Sequence, residues 1–367
     1  MQPVKPLAQG LPDFPWDRIA DAASTARKHP DGIIDLSIGT PVDATPEIIQ
    51  DALRQHANAP GYPTAAGTEE LRTAWCSWAS RTLGVNLALN QVSPTIGSKE
   101  IVAWLPTIFG LNQSSVVAYP ELAYPTYAVG AMMVGAGRVT YRSATDIPEA
   151  VDLIWVNSPS NPTGAVLSIE ELRAIVNRAR EIDAVVVSDE CYVELGWDVT
   201  PVSILHPEVI GTDCTGVLAI HSLSKRSNLA GYRSGAVLGD AKLIADIIAL
   251  RKHAGMLVPT PIQHATIAAL GDDEHVQHQR ELYHNRREIL KQAFSTAQMR
   301  IDHSNAGLYL WVSAGMDCLE LVNNLANVGI LCAPGTFYGE AGAEHVRVAL
   351  TASDERISQV SARLSAL

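Results

Sequence analysis

Short apolar runs alternate with amphipathic stretches from about Pro46 to Ile262. Ser115–Ala118, Val151–Asn157, Ala184–Ser188 and Val217–Ser222 are mostly β-branched and bounded by turn residues, which predicts strands. Between them lie helical patterns such as Ile169–Ile182, where Leu172, Ile175, Val176 and Ala179 fall on one face. Strands that alternate with helices predict an α/β fold with a mostly parallel sheet covered on both faces. Ligands of such sheets sit at the carboxyl ends of the strands. Residues that carry chemistry are therefore expected just after each strand.

The pattern changes at both ends of this region. The first forty residues are rich in Pro and Gly and finish in a short apolar run, Ile33–Ile38, that enters a turn at Gly39-Thr40-Pro41. From about Asp273 a long charged helix, Glu274–Thr296, precedes an apolar strand at Gly307–Val312. A helix at Cys318–Val328, a short run at Gly329–Cys332 and a strand at Val346–Leu350 follow. The expected organisation is a large α/β domain over 46–272 and a smaller α+β domain built from 1–45 and 273–367.

Composition narrows the function. With 47% apolar and 18% charged residues in a chain of 367, there is enough apolar surface for a large core and no sign of disorder. Lys plus Arg number 27 against 39 Asp plus Glu, a formal charge of −12. That balance argues against nucleic acid and anionic membrane as partners, so any anion must meet locally concentrated positive charge. Five cysteines lie scattered with no CxxC pair, and neither a leader pattern nor an apolar run of about 18 residues occurs. The expectation is a soluble cytoplasmic protein with reduced thiols.

Four motifs stand out. Ser158-Pro159-Ser160-Asn161-Pro162-Thr163-Gly164 follows one predicted strand and Asp189-Glu190-Cys191-Tyr192 the next. His221-Ser222-Leu223-Ser224-Lys225 follows a third, with Arg233 eight residues beyond Lys225. Earlier, Gly97-Ser98-Lys99 leads into an apolar helix. Each alone reads as a turn, a cap or a helix start. Their order along one sheet gives them a common meaning.

Together they resemble the fold type I, pyridoxal-phosphate-dependent aminotransferases of class I/II, over nearly the whole chain from Gly39 to Arg347. The resemblance implies a mostly parallel seven-stranded sheet between helices, a smaller α+β domain, and pyridoxal 5'-phosphate as cofactor. It implies Lys225 as the amine that holds the cofactor in an imine link and shuttles protons. Asp189 matches the carboxylate that keeps the ring nitrogen protonated, since an opposite charge raises that nitrogen's pKa. Asn161 and Tyr192 match donors to the ring's phenolic oxygen. For the phosphate, the matches are Arg233, Ser222 and the Gly97-Ser98-Lys99 helix start. Tyr124 matches the aromatic lid on the ring, with Tyr127 as the alternative. Arg347 matches the substrate carboxylate clamp, Gly39 a backbone contact to the same group, and Tyr62 a tyrosine that reaches the phosphate in a neighbouring subunit. The last implies a homodimer with sites at the interface.

A β-eliminating lyase would share these cofactor residues, and a non-catalytic regulator on the same fold would need a basic DNA-binding arm for which this acidic chain offers no segment. Beyond the motifs, the extended Tyr119–Tyr127 segment, Arg251–Pro259, Gly271–Val276 and Phe337–Gly339 resemble actinobacterial-type N-succinyldiaminopimelate aminotransferases. That implies amino transfer from glutamate, yielding 2-oxoglutarate, in lysine and diaminopimelate biosynthesis. An aminotransferase for aspartate, alanine or another small amino acid is the alternative. Lys99, Arg251, Lys252 and the Gly39-Thr40 segment are the candidates for holding a distal acidic group.

Overall fold

The computed structural model describes residues 6–13 and 15–367. A two-residue strand, β1 (Ile34–Asp35), precedes seven strands of a central sheet: β2 (Val92–Ile96), β3 (Val116–Pro120), β4 (Gly137–Tyr141), β5 (Leu153–Asn157), β6 (Val185–Asp189), β7 (Val217–Ser222) and β8 (Ser234–Gly239). Their order across the sheet is β2-β8-β7-β6-β5-β3-β4. Every neighbouring pair is parallel except those of β8, which runs antiparallel to both β2 and β7. The α/β class and the seven-stranded, mostly parallel sheet agree with the sequence reading.

Three of these strands lack an alternating or continuous apolar signature. Strand β2 contains Pro94, which an edge strand paired on one side tolerates. The opposite edge, β4, carries exposed residues, and β8 begins Ser-Gly. The interior strands β5 and β7 are buried throughout, as helices on both faces require. One face packs on Trp75, Trp78, Leu172, Ile175 and Val176, the other on Ile101, Leu105, Tyr127, Ile244 and Ile247. The helix Ile169–Glu181 starts at a capping box: Ser168 Oγ accepts from the Glu171 amide at 3.2 Å, and Glu171 returns a carboxylate to the Ser168 amide at 2.8 Å.

The rest of the chain forms a second layer. Strands β9 (Arg300–His303) and β10 (Tyr309–Ser313) are followed by β11 (Ile330–Leu331), β12 (Ala333–Pro334) and β13 (Val346–Ala349). An antiparallel sheet has the order β12-β13-β10-β9, while β1 pairs in parallel with β11, Ile34 opposite Ile330. Ile19, Ala26, Ile34 and Leu36 share a core with Leu290, Phe294, Leu310 and Leu325. Each of these larger side chains contributes about 1.5–3 kcal/mol by leaving water. Tyr192 and Leu195, just past β6, join that core and tie the two layers together.

The antiparallel β8 positions the site. Its reversed direction sets Ser234 opposite Ile96 and Gly235 opposite Ser222, so Arg233 arrives where β2 and β7 end.

Candidate active site

The ends of β5, β6 and β7 converge on a cavity of about 290 Å³ whose lining includes Asn161, Asp189, Tyr192, Ser222, Lys225 and Arg347. Three separate regions supply them. The large sheet gives the first five, β13 gives Arg347, and the Ile38–Thr40 segment closes one wall.

At one end Arg233, Ser222 and the start of a helix come together. Gly97 has φ +70, and a Cβ there would stand 2.4 Å from Arg233 Nη2, so only glycine lets the guanidinium lie against this turn. The helix Ser98–Ile108 begins here, and Gly97 at its N-cap has no side chain to bond the first amides. Arg233, itself at φ +56, donates to the Ala230 carbonyl at 2.9 Å and the Ile96 carbonyl at 3.4 Å. Ser222 Oγ donates to Ser224 Oγ at 2.9 Å and caps the short helix that carries Lys225.

At the centre lies a buried carboxylate. Asp189 Oδ2 accepts from the Tyr127 hydroxyl at 3.0 Å, and Oδ1 from the Cys191 amide at 3.3 Å. Burial pushes its pKa up, and the hydrogen bonds from Cys191 and Tyr127 oppose that rise. Asn157 clamps the neighbourhood: its Nδ2 donates to the Asp189 carbonyl at 2.9 Å and its Oδ1 accepts from the Asn161 amide at 2.7 Å. The described residues form no ion pair with Asp189.

Lys225 faces the other way. Its Nζ donates to the Gly39 carbonyl, and burial pulls the ammonium pKa down. Arg347, only 3% exposed, donates to Asn161 Oδ1 at 2.8 Å and to the Ser37 carbonyl at 2.6 Å. Its Nε has no partner, and none of the ion pairs among the described residues includes it. The guanidinium lies 4.0 Å from the centroid of Tyr309 and 5.0 Å from that of Tyr338. A buried guanidinium held only by neutral acceptors is prepared for an anion that arrives from outside.

Of the residues singled out in the sequence, Gly39, Ser98, Lys99, Tyr124, Asn161, Asp189, Tyr192, Ser222, Lys225, Arg233 and Arg347 line this one cavity, with Gly97 beneath Arg233. Tyr62 does not; it is 99% exposed, away from the cavity of its own chain. Arg251 is ruled out as a holder of a distal acidic group, because it is fully buried and paired with Glu100 at 2.7 Å. Lys252 is exposed and outside the cavity lining. The Tyr119–Tyr127 loop is shorter than it reads: Tyr119-Pro120 complete β3 and Thr126-Tyr127 open the helix Thr126–Met133. Sequence reasoning missed Trp16, Cys191 and Tyr309, all in the lining. Tyr309 carried no usable signal, since it stands in a buried apolar strand beside a second aromatic, Trp311.

A family model described as aminotransferase class I and II matches residues 31–364. The chain is a class I/II aminotransferase. It is 52% identical over 361 residues to a probable aminotransferase, Rv1178, of Mycobacterium tuberculosis, covering 98% of this chain and 86% of that one. It is 50% identical to the 4-dedimethylamino-4-oxo-anhydrotetracycline transaminase OxyQ of Streptomyces rimosus, covering 97% and 99%. An LL-diaminopimelate aminotransferase of Aquifex aeolicus is 32% identical, with 91% of each chain covered. Among solved structures, the aminotransferase AspB of Helicobacter pylori superposes with a TM-score of 0.88 at 30% identity, covering 97% and 98%.

Aminotransferases of this class depend on pyridoxal phosphate, and the cavity of this one fits it. The group brings a phosphate dianion, a ring nitrogen that is cationic when protonated, and an aldehyde carbon that needs an amine. The cavity offers a glycine cradle under Arg233 at a helix start, a buried carboxylate without a cationic partner, and a buried lysine bonded only to a carbonyl. Among the described residues, no helix is long and apolar enough to cross a membrane.

Proposed function

We propose that this aminotransferase moves an amino group between glutamate and N-succinyl-2-amino-6-oxopimelate, as an N-succinyl-LL-diaminopimelate:2-oxoglutarate aminotransferase. Supporting the substrate choice are the stretches that resemble that subgroup and the likeness to an LL-diaminopimelate aminotransferase. Supporting the chemistry is one observation above others: Arg347, buried with no acidic partner, opens into the cavity that also holds Lys225.

Bound pyridoxal phosphate supplies the electron sink for the substrate's Cα–H bond electrons. Lys225 would hold it, Asp189 would face its ring nitrogen, and Asn161 and Tyr192 its phenolic oxygen. Arg233, Ser222 and the Gly97-Ser98-Lys99 turn would take the phosphate, and Tyr124 would cover the ring. In both half-reactions Arg347 and the Gly39 backbone would orient the α-carboxylate; with the amino donor Lys225 Nζ takes the proton from the substrate Cα, and with the oxo acid it delivers one to that carbon. The lowered ammonium pKa favours the neutral amine that taking the proton requires. The domains over 46–272 and over 1–45 with 273–367 carry these two sets of groups. Tyr62, exposed on its own chain, would complete the site of a second copy in a homodimer.

A second reading takes its support from the 50% identity to OxyQ and from apolar Trp16 and Ile38 in the lining: the acceptor is a bulky cyclic ketone. Profiling glutamate against the succinylated oxo acid, a polycyclic ketone, pyruvate and oxaloacetate separates the readings. The proposal requires the highest kcat/KM for the succinylated acceptor. Preference for a small oxo acid overturns the substrate and leaves the aminotransferase.

A further inference from the structure

We infer that Tyr309 is a positioning residue that couples the cofactor side of the site to the carboxylate side, through its hydroxyl on Tyr192 and its ring under Arg347. The inference rests on the role proposed for Tyr192 and Arg347.

Tyr309 opens β10 and is 2% exposed. Its hydroxyl lies 3.0 Å from that of Tyr192, with the two rings edge to face at 5.7 Å. Two phenols in contact share a single hydrogen bond, and one of them must accept. If Tyr192 spends its proton on the cofactor's phenolic oxygen, Tyr309 is the donor of the pair. The direction of the bond is then fixed from Tyr309 to Tyr192 to the ligand. A phenol that accepts while it donates is a stronger donor than an isolated one, because the bonds polarise one another.

The ring does a second job. Arg347 sits 4.0 Å from its centroid, close enough for the π face to hold the guanidinium plane. A third contact explains a neighbour. A Cβ on Gly39 would lie 2.3 Å from the Tyr309 hydroxyl oxygen and 3.0 Å from two ring carbons. Glycine at 39 is therefore required by the phenol, and the same residue's carbonyl accepts from Lys225 Nζ.

The two jobs separate by substitution. Tyr309→Phe keeps the ring under Arg347 and removes the hydroxyl; Tyr309→Leu removes both. Both are made as holoenzyme and compared with wild type in the pH titration of the bound cofactor's absorbance and in kcat and KM for glutamate. Tyr309→Phe is expected to move the absorbance midpoint up by about 0.3–1 pH unit, the equivalent of one neutral hydrogen bond. The direction follows because a weaker donor on the phenolic oxygen leaves more negative charge beside the titrating nitrogen. Its KM for glutamate is expected to stay within about threefold of wild type, whereas Tyr309→Leu raises KM about tenfold or more. Gly39→Ala is expected to lose at least about tenfold in kcat/KM, and Tyr309→Phe in the same chain to recover part of it. An unchanged midpoint in Tyr309→Phe, or no recovery in the double variant, overturns the inference. Loss of cofactor from the wild-type lysine would instead overturn the functional reading beneath it, which borohydride reduction and peptide mapping of wild type detects separately.

Discussion

The Tyr127 hydroxyl donates to Asp189 Oδ2 at 3.0 Å while the Tyr127 ring lies flat on Trp155, centroids 4.9 Å apart and planes 16° from parallel. The stacking fixes the ring within the sheet-side core, so the phenol reaches the carboxylate from behind. Tyr127 is thereby committed to Asp189, and Tyr124, edge-on to it at 5.9 Å, lines the same cavity, in keeping with its proposed place over the ring.

Tyr127→Phe should keep the stack on Trp155 and strip one charge-assisted hydrogen bond from Asp189. A bond of that kind is worth about 1.5–3 kcal/mol. The expected result is a fall in kcat/KM of roughly 10–100-fold with weaker retention of the cofactor on dialysis. Thermal unfolding should change little. Unaltered kinetics would mean that Asp189 needs no support from Tyr127.

Lys225 should carry the pyridoxyl group after borohydride reduction. Because burial holds its pKa below the ordinary 10.5, the neutral amine becomes available at lower pH than for a surface lysine. The rate with saturating glutamate should therefore rise with pH through a midpoint below 10.5 and then level off. Reduction that labels Lys99 in place of Lys225 would remove this assignment.

Arg347→Lys retains charge but not the planar fork. The ammonium cannot bridge Asn161 and the Ser37 carbonyl and still present two donors to a carboxylate. KM for both the amino donor and the oxo acid should rise about 10–100-fold, the loss of one charge-assisted bond. An effect confined to one half-reaction would show that the two substrates use different clamps.

Glu190 lies behind the site, one residue past Asp189. Burial pushes its carboxyl from 4.5 up to about 7, and His221 at 3.5 Å is pushed down to about 3, so it brings no counter-charge near neutrality. Between pH 4.5 and 7 the unfolded chain gives up the Glu190 proton first, so this group's contribution to stability is full below 4.5 and is lost as pH rises to 7. Glu190→Gln keeps an acceptor for the Ile204 amide and removes that dependence. At pH 8 it should be more stable than wild type by up to about 3 kcal/mol, with the difference closing toward pH 4.5. Thermal midpoints at pH 5 and 8 test this, and a variant less stable at pH 8 would mean that the carboxylate is ionised and paired.

The sheet and half of the site could be read from the sequence because they are local. Lys225, Asp189 and Asn161 each sit within a few residues of an apolar strand end, and the strand run marks the place. Strand β8 escaped because Ser234, Gly235 and Gly239 leave only Ala236–Leu238 as an apolar run to mark it. Tyr309 and the Tyr127–Asp189 bond escaped for a different reason. Their partners are distant in the chain, and a buried tyrosine in an apolar run looks the same whether its hydroxyl meets water, a backbone group, a buried carboxylate or another phenol. The buried Arg251 shows the converse: its position near a turn suggested a ligand contact, and only the fold reveals Glu100 opposite it.

The parallel pairing of Ile34–Asp35 with Ile330–Leu331 also sets a timetable. On the ribosome the segment that ends at Gly39 is made before the large sheet, and its strand partner only after it. All seven strands of the large sheet are complete by Gly239, so the anion cradle and Asp189 can assemble while the carbonyls that Lys225 and Arg347 bind are still unplaced. Closing a loop of that length is slow for reasons of chain entropy and rewards nothing until both ends meet. The groups proposed for the phosphate thus rest on the large sheet alone, whereas those proposed for the substrate depend on a pairing that spans it.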